Sequence, residues 1–100
     1  MKKILYHAGI TEDGLWVLGG CFQLVDSIGF PLECLLEWCR HNHHVVHWVE
    51  FLDATLEANW KWKSTRTKIH MAVSEVYGRK YAQEFMSRVD NWEIARMVER

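Results

Sequence analysis

From Cys21 onward the apolar residues recur at the spacing of an α-helix, and this period constrains the fold more than any other feature of the chain. Cys21 to Ile28 reads as a short helix closed by Gly29, with Pro31 suited to the first turn of the next one. Leu32, Leu35, Leu36 and Cys39 then fall at i, i+3, i+4 and i+7, forming one apolar stripe. A second stripe runs through Val45, Trp48 with Val49, Leu52, Leu56 and Trp60. Between the stripes stands Arg40-His41-Asn42-His43-His44, where Asn42 suits a helix cap. No glycine or proline enforces a break there, so one bent helix from Pro31 to about Trp60 competes with two. Ser64 or Thr65 is expected to open a further helix with Ile69, Val73, Val76, Tyr77, Tyr81, Phe85 and Val89 inward and Gly78 as a bend. Asp90, with Glu93 three residues on, reads as the capping box of a last short helix carrying Ile94, Met97 and Val98.

The N-terminal segment follows a different rule. Lys3–Ile10 and Leu15–Leu18 carry β-favouring residues around Thr11-Glu12-Asp13-Gly14, and Asp-Gly between apolar runs is a hairpin signal. A rival helix from Glu12 to Val25, capped by Thr11, would have to carry Gly19-Gly20 in its interior at about 1 kcal/mol each. The expected architecture is mainly α: a bundle of four to five helices over residues 21–100 behind a short β-hairpin within 1–18, all in a single domain.

Composition narrows the class. At 49% hydrophobic and 25% charged, the chain lies outside the regime of disordered sequences, and a net charge of −1 provides no bulk attraction to nucleic acid or membrane. A chain of 100 residues buries roughly two-thirds of its unfolded surface, enough for a core but not for a roomy internal active site. Three cysteines, Cys21, Cys34 and Cys39, do not pair into a closed disulfide framework, which fits a reducing compartment. Met1-Lys2-Lys3 imitates the start of a signal peptide and Leu18-Gly19-Gly20-Cys21 a lipoprotein cleavage site. His7, Glu12 and Asp13 interrupt the apolar stretch that either would need. The longest run without charge or proline, Gly14–Val25, has twelve residues against the roughly twenty of a membrane helix. A cytoplasmic protein with no membrane partner is expected.

The near-zero net charge conceals a split. Residues 31–58 carry Glu33, Glu37, Glu50, Asp53 and Glu57 against Arg40, a balance of −4. Residues 59–81 carry Lys61, Lys63, Arg66, Lys68, Arg79 and Lys80 against Glu75, a balance of +5.

Two clusters could carry chemistry. Around Cys39-Arg40-His41-Asn42-His43-His44-Val45-Val46-His47, a helix would place His43 or His44 beside His47, with Glu50 one turn on and Cys39 across a bend. Cys39, His43, His44, His47 and Glu50 are therefore the candidate ligands for zinc or a similar ion. No His-Glu-x-x-His or Cys-x-x-Cys accompanies them, and a solvated or pH-sensitive histidine surface is the plainer expectation. In the second cluster, Trp60-Lys61-Trp62-Lys63 with Arg66, Lys68, Arg79 and Lys80 alternates aromatic planes with cations, as single-stranded nucleic-acid binders do. The plainer reading puts Trp60 and Trp62 in the core under solvated lysines.

Six tryptophans exceed what a core of this size encloses comfortably, so one or two are expected at an interface or a homo-oligomer seam. No nucleophile elbow, phosphate loop or catalytic pair is present, and an enzyme is not expected. The leading expectation is a small non-catalytic protein that occupies a surface of a larger protein as inhibitor, adaptor or regulator. Stand-alone domains of this kind often serve phages and mobile elements. Trp38 and Trp48 would be the anchors, projecting together from one helix, with Glu37, Arg40, His41 and His44 as a polar rim. The alternatives are a nucleic-acid-binding regulator using residues 59–81 and a metal-binding protein using the histidine cluster.

Overall fold

The computed structural model describes residues 4–99; the basic start at Met1-Lys2-Lys3 lies outside them. Five helices stand behind a three-stranded sheet, in the order β1 (Tyr6–Ile10), β2 (Trp16–Gly19), α1 (Cys21–Asp26), α2 (Leu32–His41), β3 (His44–Val46), α3 (Trp48–Glu57), α4 (Trp62–Tyr77) and α5 (Arg79–Glu99). The mainly α architecture is as the periodicity requires. Among the described residues, no helix is long and apolar enough to cross a membrane.

The hairpin forms at Thr11–Gly14. Thr11 N–H donates to the Leu15 carbonyl at 2.8 Å, and its hydroxyl accepts from Leu15 N–H at 3.0 Å, so Thr11 closes a turn and caps no helix. β1 and β2 pair antiparallel, with a bulge between His7 and Gly9. A third strand adds to the expected hairpin. β3 pairs in parallel with β2, Trp16 opposite His44 and Leu18 opposite Val46, and the link between them passes through α1 and α2.

β3 also decides the question of one helix or two between Pro31 and Trp60. Asn42 ends α2, its backbone N–H reaching the carbonyls of Trp38 and Cys39, and so acts as a C-cap rather than an N-cap. His43 then takes a left-handed conformation (φ 54°), which turns Val45 and Val46 into a strand. His47 opens α3, its side chain accepting from Glu50 N–H at 3.3 Å. The single helix that would have carried Trp38 and Trp48 on one face does not exist.

α4 starts at Trp62, two residues before Ser64, because the Lys61 carbonyl accepts from both the amide and the hydroxyl of Thr65. Gly78 separates two helices: its φ of 95° and ψ of 162° are open to glycine alone, and α5 restarts at Arg79. Asp90 caps nothing. It lies inside the uninterrupted α5, where its carboxylate holds Arg66 of α4 through paired bonds of 2.8 and 2.9 Å. The core joins Leu32, Leu36 and Cys39 of α2 to Phe51 and Leu52 of α3, Ile69 and Val73 of α4, and Ala82, Phe85 and Val89 of α5. Leu18 and Val46 attach the sheet to it.

Candidate functional site

Strand pairing brings together residues that are remote in sequence. His7 lies opposite Leu18, and His44 opposite Trp16. Because side chains alternate along β2, Trp16 and Leu18 share one sheet face, and His7, His44 and Val46 share it with them. Leu18 and Val46 turn this face into the core at one end. At the other end the aromatic rings meet solvent.

Four rings form a row there. Trp16 stacks on His7 with centroids 4.8 Å apart, His7 meets His44 at 5.2 Å, and His44 meets Trp38 of α2 at 4.9 Å. The imidazole Nε2 atoms of His7 and His44 are 3.1 Å apart, and His44 Nδ1 lies 2.5 Å from the Asn42 carbonyl. Trp16 is 44% exposed and Trp38 45%. Leu5, Tyr6, His7, Leu18, Trp38 and His44 line a groove of about 510 Å³.

Glu50 of α3 braces the first strand. One carboxylate oxygen accepts from Gly20 N–H at 2.6 Å, and the other takes the Tyr6 hydroxyl. The hydrogen bond to Glu50, more than burial or charge, raises the Tyr6 phenol above its usual range. The Tyr6 ring lies over Gly19, where a Cβ would come within 2.3 Å of it.

The expected anchor pair separates. Trp38 stays exposed with Glu37 and Arg40 beside it on α2, and Glu37 holds His41 at 2.9 Å. Trp48 is half-buried on Phe51 and Phe85, with ring centroids at 5.4 and 4.9 Å. The acidic segment is partly occupied within the fold: Glu37 by His41, Glu50 by Tyr6 and Gly20, Asp53 by Arg96.

The proposed metal ligands disperse. Cys39 is buried in the core, which pushes its thiol up to about 11. His43 is exposed at the turn, His47 caps α3, and Glu50 is engaged by Tyr6 and Gly20. No three or more His, Cys, Asp or Glu side chains among the described residues gather as a metal cluster.

The basic segment divides as well. Trp60 packs on Phe22 at 4.9 Å beneath the Lys68 ammonium, which stands 5.1 Å from its ring. Trp62 packs on Trp92 at 5.6 Å. Lys61 and Lys68 flank a shallow depression with Trp60, Ser64 and Thr65, whereas Arg66 is held by Asp90. Lys63 is exposed at the same end, but Arg79 and Lys80 lie beyond the far end of α4, a helix length of about 24 Å away.

No sequence motif marks His7, Trp16 and Tyr6 as a site. The available signal was the hairpin itself, whose alternation places Trp16 with Leu18 on one face. No known protein family, curated protein or solved structure matches this chain.

Proposed function

We propose that this protein is a binding module that occupies a basic segment of a larger protein partner through the Trp16–His7–His44–Trp38 surface. The observation that carries this reading is the row of four rings, whose two outer indoles stand nearly half exposed beside an open groove. Rings fixed by stacking lose little freedom on binding, and tryptophans of this kind dominate interface energetics. The exposed indole face of Trp38 favours a lysine or arginine of the partner by cation–π contact, and Glu37, which holds His41 on the same helix, adds negative charge nearby. Arg40 and His41 belong to the rim on the same helix. Trp48 serves this surface only by supporting α3 from within. Such a module acts as inhibitor, adaptor or regulator rather than as a catalyst.

The test is co-purification from the native cell extract with wild-type protein and with Trp38→Ala and Trp16→Ala. A partner protein retained by wild type and lost from both variants, with melting temperatures preserved, supports the reading. A partner retained equally by all three overturns it, as does nucleic acid as the sole retained species. In the latter case the Trp60–Lys61–Lys68 depression takes precedence.

A further inference from the structure

We propose that His7 and His44 together form a binding site for a borderline divalent transition-metal ion, Zn2+ being the reference case, on the open end of the sheet. This site differs from the ligand set read from the sequence, since it uses His7 of β1 and only His44 of the histidine cluster. It is independent of whether a protein partner docks on the same surface.

His44 Nδ1 is 2.5 Å from the Asn42 carbonyl, and a carbonyl can only accept, so Nδ1 carries the hydrogen. The Nε2 atom of neutral His44 is therefore a lone pair. It points to His7 Nε2 at 3.1 Å, which donates to it. Two imidazole nitrogens thus face each other with one proton between them.

That spacing also suits an ion. With Zn–N bonds of about 2.0–2.1 Å, two nitrogens 3.1 Å apart subtend about 100° at the metal, close to tetrahedral, once each ring tilts so that its lone pair leaves the N–N line for the ion. His44 is already in the metal-binding tautomer, its Nδ1–H oriented by a backbone carbonyl in the manner of histidine ligands in metalloproteins. His7 has only to move its proton from Nε2 to Nδ1, an exchange through solvent that its exposed ring permits, so the proton count of the neutral pair is unchanged. Both residues stand on strands, paired to the same central strand β2, and Trp16 and Trp38 hold the rings from either side. Ligands borne on a sheet keep their separation better than loop residues do. Imidazole favours zinc, nickel and copper over magnesium or calcium, and two ligands leave coordination positions for water or an outside donor.

The experiment titrates untagged protein with zinc chloride, followed by calorimetry and by long-range proton–nitrogen spectra of the imidazoles. One ion per chain is expected, with shifts at Nε2 of His7 and His44 and a melting temperature that rises with zinc. His7→Gln, which leaves the His44–Asn42 bond in place, and His44→Gln each abolish the binding heat, while His43→Asn leaves it unchanged. Magnesium chloride produces no heat. Absence of zinc binding in the wild type overturns the proposal, and so does binding that survives His7→Gln. Loss in His43→Asn with retention in His7→Gln assigns the ion to the turn instead and equally overturns it.

Discussion

Replacing Gly20 by alanine tests how the N-terminal strands are clamped to the helical body. Gly20 adopts φ 82°, and a Cβ placed there would stand 2.0 Å from the Ile4 carbonyl oxygen and 2.9 Å from its carbon. Two costs add. The left-handed conformation costs a non-glycine residue about 1–2 kcal/mol. The clash is with backbone, which no rotamer change relieves, so the segment leading into β1 must move away from α1. That displacement strains the 2.6 Å bond from Gly20 N–H to Glu50, and with it the anchor of Tyr6. A charge-assisted bond that is part-buried contributes about 1 kcal/mol or more. The expected loss for Gly20→Ala is about 3 kcal/mol, or about 12–24 °C in melting temperature for a domain of this size. Gly14→Ala is the matched control: its φ is 84°, yet nothing lies within 4 Å of its Cβ, so it carries the conformational cost alone. Urea denaturation followed by tryptophan fluorescence measures both. A Gly20→Ala variant within about 0.5 kcal/mol of Gly14→Ala would refute the steric argument, since it would mean the Ile4 backbone yields freely.

Trp48→Ala removes a ring packed on Phe51 and Phe85 and is expected to cost about 3 kcal/mol in chemical denaturation, whereas Trp38→Ala costs under about 1 kcal/mol. Native protein treated with a thiol-reactive dye is expected to label at exposed Cys34 first. Burial raises the Cys21 thiol to about 12 and the Cys39 thiol to about 11, and shields both, so mass mapping that finds either labelled as fast as Cys34 contradicts their placement. The hydrogen bonds from Arg66 lower the Asp90 carboxyl below its usual value. A depressed folded pKa means that this stabilisation is fully present above the unfolded value, about 4, and fades as pH falls through the lower folded one. Wild type should therefore exceed Asp90→Asn in stability at neutral pH by up to about 1 kcal/mol, the pair being about 40% exposed, and the gap should close in acid. A gap that widens on acidification would contradict the pairing.

Elements that depend only on neighbours a few residues away are legible in the amino-acid string. The stripes of α2 and α4, the turn after Thr11 and the Gly29–Pro31 stop between α1 and α2 are all written in short-range spacing, because one helical turn or one tight turn selects its own residues. β3 could not be read this way. Val45 and Val46 fit a helical stripe as well as a strand, and what decides between them is the edge of β2, which arrives through α1 and α2 from nearly thirty residues earlier. Asp90 likewise has the letters of a cap, but an unbroken α5 and a guanidinium from α4 hold it in mid-helix. Trp38 and Trp48 look alike in sequence; only the packing of α3 on α5 places one ring against Phe85 and leaves the other in solvent. The His7–His44 pair is the extreme case. The two imidazoles are 37 residues apart and meet because hydrogen bonds in two strand ladders fix their register, information that resides in neither segment alone.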